Sequence, residues 1–297
     1  MVLPCIKPSA RPARVLPRCS STTRRVAVAV STMLVALATP GVTGAAAQSG
    51  GSAAGRTAPL LDPRGPYGAW AGYSLGHRRS PRSALPASST EGVAGMDVSG
   101  HQGRVDWDRA RAAGARFTYV KATEGTTYQS PVFPQQYNGS YRVGMIRGAY
   151  HFALPNVSSG AAQARFFVDN GGGWSADGRT LPGALDIEYN PYGPMCYGLS
   201  PQEMSRWITD FSTTYRARTG RYPAIYTTRH WWNTCTGGAE GFAATHPLWV
   251  ARYGPEVGAL PAGWNYHTIW QFNDHGTFPG DQNTFNGSMA QLKQFTR

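Results

Sequence analysis

An α/β fold, a TIM-like barrel that is irregular because its later helices are lost, is predicted for residues 93–297 of this chain. Three observations carry the prediction. Strand-like and helix-like segments alternate about five times, and such alternation implies a parallel sheet. Further strands then follow with thin helical signal between them. About eight strands in some 200 residues is the number that closes a barrel.

The first strand is "VAGMDVS", and Asp106 opens a helix in "DWDRARAAG". "RFTYVKAT" reads as the second strand. "PVFPQQYNGSYRVG" follows as a helix with Phe133, Tyr137 and Tyr141 on one face. "MIRGAYHFAL" is a strand, "SSGAAQARFFVDNGG" a helix and "GALDIEY" the fourth strand. The next helix has the clearest signals. Ser200 and Glu203 make a capping box, and Pro201 fits the first helical position. Met204, Ile208, Phe211 and Tyr215 then recur at helical spacing, and Gly220 closes the helix. "YPAIYTT", "HPLWVARYG" and "YHTIWQFND" are strands. A last short helix places Met289, Leu292 and Phe295 on one side.

The N-terminal third has a different composition. Of the net charge of +12, residues 1–93 carry +9 and the remainder +3. The basic character therefore belongs to the N-terminus, and no zinc-finger spacing, RNA-binding aromatic motif or basic helix points to nucleic acid. Residues 1–47 read as a signal peptide. Arg11, Arg14, Arg18, Arg24 and Arg25 precede the apolar run Val26 to Ala38, and Ala45-Ala46-Ala47 supplies small residues for cleavage. That run is too short for a comfortable membrane span, so a secreted protein with no stable membrane anchor is expected. The pair Arg24-Arg25 also fits a twin-arginine signal. Residues 48–92, rich in Gly, Ser, Pro and Arg, read as a disordered linker or propeptide, and residues 93–297 as the catalytic domain. Cys5 and Cys19 go with the leader. Cys196 and Cys235 remain, an even number in an oxidising compartment, and are expected to form a disulfide across loops at one end of the barrel.

The candidate site begins with "LDIEYN". A strand alternates its side chains, so Asp186 and Glu188 share one face while Leu185, Ile187 and Tyr189 take the other. Paired acids raise each other's pKa, which a closed core would reject and the C-terminal mouth of a barrel can hold. Asp97 ends the first strand, and Asp281 is expected in the last connection, with Asp274 its competitor. Aromatic residues crowd the same strand ends. Tyr150, Tyr189, Tyr226, Trp249 and Tyr253, with Gln271, are the expected substrate contacts, Trp249 and Tyr150 foremost. Carboxylates walled by rings suit a sugar-processing cleft. His101, His151, His230 and His275 show no metal-ligand spacing, so neither metal nor cofactor is expected.

In that order, "GMDVSGHQGRVDW", "YVKATEG", "GAYHFA", "LDIEYN", "YPAIYTT", "LWVARYG", "IWQF" and "DQNTFNG" resemble the successive motifs of the glycoside hydrolase family 25 lysozymes. The resemblance spans about Val93 to Arg297. It implies an irregular barrel of five βα units and three further strands. It also implies endo-N-acetylmuramidase activity on bacterial peptidoglycan; separately, a monomer is expected. Glu188 is implied as general acid, with Asp97, Asp186 and Asp281 as the other acidic cleft residues. Two rivals remain at this stage. A metal-dependent wall deacetylase needs a His and Asp cluster, and a lectin-like module would have lost a catalytic acid.

Overall fold

The computed structural model describes residues 68–76 and 92–297. The expected signal peptide lies outside these residues, as does the expected linker apart from 68–76 and 92. The described chain opens with a single helical turn, α1 (Tyr73–Gly76), and then the sheet begins. Its strands are β1 (Val93–Val98), β2 (Phe117–Glu124), β3 (Tyr128–Gln129), β4 (Ile146–Phe152), β5 (Ala184–Asp186), β6 (Ala224–Thr227), β7 (Leu248–Ala251), β8 (Ile269–Asn273) and β9 (Asp281–Phe285). β1 pairs with both β2 and β9, which closes the sheet. β3 is a short antiparallel addition on the edge of β2.

Helices α2 (Trp107–Ala112), α3 (Phe133–Arg142), α4 (Gly160–Phe167) and α5 (Pro201–Thr219) fill the first four crossovers. α5 starts as its sequence predicts. The Ser200 hydroxyl accepts from the Glu203 amide, and the Glu203 carboxylate accepts from the Ser200 amide at 2.8 Å. Met204, Trp207, Ile208, Phe211 and Tyr215 are buried along its inner face, and Gly220 ends it with φ +78°. That left-handed conformation is costly for a residue with a Cβ.

Two differences from the sequence reading matter for the site. A helix, α6 (Arg229–Cys235), stands between β6 and β7, where little helical signal is visible. It is short, and its burial of Trp231 and Trp232 rather than any amphipathic period holds it in place. The second difference concerns "DQNTF". These polar residues were expected in a connection, yet they form β9, antiparallel to both β8 and β1. The gap between β8 and β1 must be closed for their backbone groups to be paired, and this tertiary demand overrides weak strand propensity. The final helix is α7 (Met289–Phe295), with Leu292 buried.

Strand alternation divides the core in two. Ala184 joins Phe117, Tyr119, Tyr150, Tyr226 and Trp249 inside the barrel. Leu185 and Ile187 face outward to Met204, Ile208, Phe211, Trp231 and Trp232 under the helices. Cys196 and Cys235 form the expected disulfide, with a Cα–Cα distance of 5.3 Å. It ties the loop after the fourth barrel strand to the end of α6.

Candidate active site

Four acids meet at one end of the barrel. Asp97 is next to last in β1, Asp186 ends β5, and Glu188 lies two residues beyond it. Asp281 begins β9 and pairs in register with Asp97. Because β9 runs antiparallel, its first residue lies at the mouth where the parallel strands end. All four side chains are buried.

Burial explains how the acids coexist, since removing a carboxylate from water favours its neutral form. Asp97 is pushed up to about 7 by burial, partly offset by hydrogen bonds from Gln271 and Asn283. Glu188 is pushed up to about 8, again by burial, with the backbone amides of Gly72 and Ser74 opposing the rise and Asp97 adding to it. Asp186 is held well above the usual carboxylate range by burial and then by Glu188, against the pull of Lys121. Burial followed by the charge of Asp97 raises Asp281 likewise. Glu188, which holds its proton through neutral pH, has what proton donation requires.

Their hydrogen bonds distinguish the acids. Gln271 Nε2 donates to Asp97 Oδ2 at 2.9 Å and to Asp281 Oδ2 at 3.0 Å. Its orientation is fixed from the other end, because Gln271 Oε1 accepts from the Tyr226 hydroxyl at 2.8 Å. Trp249 Nε1 donates to Asn283 Oδ1 at 2.7 Å, which turns Asn283 Nδ2 onto Asp97 Oδ2 at 2.6 Å. Asp97 and Asp281 are thus anchored. By contrast, neither oxygen of Asp186 has a hydrogen-bond partner among the described residues, and Glu188 Oε2 has none. Buried polar atoms without partners are uncommon in folded proteins and point to a group that arrives from outside.

Gln271 and Tyr253 join the acids directly, the Tyr253 hydroxyl donating to Asp281 Oδ2 at 3.3 Å, and Tyr226 joins them through Gln271. Tyr150 reaches the mouth, where its hydroxyl accepts from the Ala71 amide at 3.4 Å. Trp249 lies beneath it, fully buried and stacked on Tyr119 with ring centroids 4.8 Å apart. Tyr189 is not brought into this group. The alternation that turns Asp186 and Glu188 inward turns Tyr189 outward into the helix-facing core, with its hydroxyl 3.0 Å from His230 Nδ1. Asp274 stays at the surface beside His275, while Asp281 is the one inside. His151 is buried between Thr123 and Gln163, and burial lowers it to about 4, so it serves as a neutral hydrogen-bonding ring.

The sequence reading missed Asn283, Lys121 and Glu124. Asn283 lies two residues after Asp281, so strand alternation would have placed it on the same face. Lys121 and Glu124 form a buried ion pair, and the Tyr192 hydroxyl donates to Glu124 Oε1 at 2.7 Å. A lysine within the apolar strand "FTYVKATE" was the available signal.

A closed barrel whose mouth gathers four buried carboxyls among amide and phenol groups has the equipment of a glycoside-cleaving enzyme. The chain belongs to the glycosyl hydrolases family 25, which residues 96–281 match, and so is a glycoside hydrolase of the lysozyme type. It is 52% identical over 223 residues to lysozyme M1 of Streptomyces globisporus, covering 73% of this chain and 76% of that protein. An N,O-diacetylmuramidase of Arthroderma benhamiae is 49% identical over 218 residues, or 72% of this chain and 92% of the relative. Among solved structures, a muramidase from Acremonium alcalophilum is 56% identical with a TM-score of 0.67, covering 69% of this chain and 98% of that one. A bacterial lysozyme from Streptomyces coelicolor is 52% identical with a TM-score of 0.68, covering 70% and 98%.

Proposed function

We propose that this chain is a secreted endo-N-acetylmuramidase. It hydrolyses the β-1,4 bond between N-acetylmuramic acid and N-acetylglucosamine in bacterial peptidoglycan, with retention of configuration assisted by the substrate's own 2-acetamido group. The observation that carries the mechanism is the placement of Asp186 and Glu188. They stand two residues apart on one inward face, with Asp186 unpartnered among the described residues.

Two carboxyls that divide acid and nucleophile roles must reach the sugar from opposite sides. Two inward neighbours at the end of one strand approach it from the same side. A second division of labour suits them better. Glu188, protonated in its buried setting, gives its proton to the glycosidic oxygen as the bond from that oxygen to the anomeric carbon breaks. The acetamido carbonyl oxygen closes onto the anomeric carbon, and Asp186 accepts the hydrogen bond of the acetamido N–H and balances the developing positive charge. Water then attacks the same carbon, giving its proton to Glu188 and opening the ring. Asp97 and Asp281, anchored by Gln271 and Asn283, shape the floor of the site.

The test uses peptidoglycan with its muramic residues de-N-acetylated. That glycan should be cut far more slowly than the acetylated one, and the first anomer seen by NMR with acetylated substrate should be β. Rapid cleavage of the de-N-acetylated glycan, or an initial α product, would refute the mechanism.

A further inference from the structure

The described part of the expected linker is not detached from the barrel. Residues 68–72 run through the mouth, and cleft side chains meet their backbone one after another. The Gly68 carbonyl lies 2.5 Å from His101 Nε2. The Ala69 amide donates to the Tyr192 hydroxyl at 3.2 Å, and the Ala69 carbonyl accepts from Lys121 Nζ at 2.5 Å. The Ala71 carbonyl accepts from Gln271 Nε2 at 3.1 Å. The Gly72 amide donates to Glu188 Oε1 at 2.8 Å. Between them the Trp70 ring packs on His101, with centroids 4.1 Å apart.

We propose that the barrel mouth is a binding site for the chain's own residues 68–72, which act as a built-in inhibitor that must leave before glycan can enter. This rests on the muramidase reading above.

Three observations support it. First, the segment engages the reacting group itself: the proposed proton donor, Glu188, is bound to Gly72 at the place where a glycosidic oxygen must come. Second, the peptide link between Ala71 and Gly72 offers the groups of an N-acetyl substituent, a carbonyl acceptor and an N–H donor, and the small Ala71 side chain is buried among the barrel's inner aromatics. A cleft built for acetamido sugars would take such a link. Third, the fit excludes larger residues. Gly72 has φ +95°, and a Cβ there would stand 2.4 Å from the Tyr253 hydroxyl, 2.9 Å from Gln271 Oε1 and 3.0 Å from Asp281 Oδ2. Composition alone reads this stretch as lacking a core, but small residues are what a narrow cleft can admit. Attachment through residues 77–91 holds the segment at high effective concentration, so modest contacts suffice to block the site.

The experiment compares the full secreted chain with its Gly72→Val and Trp70→Ala variants by amide hydrogen exchange and by release of reducing ends from peptidoglycan. The wild type should protect the Ala71 and Gly72 amides. Both variants should lose that protection and cleave about tenfold faster or more, as the open fraction rises. The free peptide of sequence GAWAGYSLG should slow the variants again. Unprotected amides in the wild type, or protection that survives Gly72→Val, would overturn the proposal. So would equal, measurable rates in all three chains once protection is lost, and that result would leave the muramidase reading intact. Displaced segments with no cleavage by any chain would overturn both.

Discussion

Glu188 shows how a single residue connects folding energetics to chemistry. Its carboxyl is buried, and its titration is raised from 4.5 to about 8. A folded-state pKa raised above the unfolded value means that the native state holds the proton more tightly. Its contribution to stability is therefore full below 4.5 and is lost as pH rises through about 8. Glu188→Gln, which stays neutral, should melt several degrees above the wild type at pH 9, with the gap gone at pH 4. Scanning calorimetry at the two pH values checks this, and a gap of equal size at both would contradict it. The same variant should keep the fold and lose about 10²-fold to 10⁴-fold in rate, the range a positioned general acid supplies. Near-normal turnover would remove Glu188 from the mechanism.

At the scale of elements, the helices whose periodicity and caps were legible sit where the sequence placed them. α5 is the clearest case, because Ser200, Pro201, Glu203 and Gly220 each act through local backbone chemistry. β9 and α6 were not legible in that way, because β9 is not specified locally and α6 has a local cap, Thr228 accepting from the Trp231 amide, but little helical period. β9 exists because a closed sheet needs a strand between β8 and β1, and α6 because Trp231 and Trp232 are buried under the barrel's outer layer. The site followed the same rule. Asp186 and Glu188 could be paired from alternation alone. Asn283 could be joined to Asp97 only once β9 was known to be a strand beside β1. Tyr189 was expected among the cleft contacts although alternation already turned it to the face opposite the acids, and it packs in the outer core beside His230. The disulfide belongs to this scale as well. Cys196 and Cys235 are 39 residues apart in sequence, and closing such a loop should stabilise the fold by about 4 kcal/mol on the chain-entropy account. The double variant Cys196→Ser, Cys235→Ser should melt roughly 8–16 °C lower. An unchanged melting temperature would show that the loops are held by other contacts.

On the scale of the whole molecule, the proposed export and the proposed inhibition by residues 68–72 would follow in that order, with the barrel becoming active once the segment leaves. N-terminal sequencing of the secreted protein should find a start near residue 48, and a chain still beginning at Met1 would contradict the export step. The proposed reaction is cleavage of glycan by the four-acid mouth on the reducing side of N-acetylmuramic acid. Analysis of the new reducing ends tests it most directly. Peptidoglycan digested by the purified protein is reduced with borohydride and hydrolysed, and its amino-sugar alcohols are identified. Muramitol is the expected product, whereas glucosaminitol would show that the enzyme cuts the other bond.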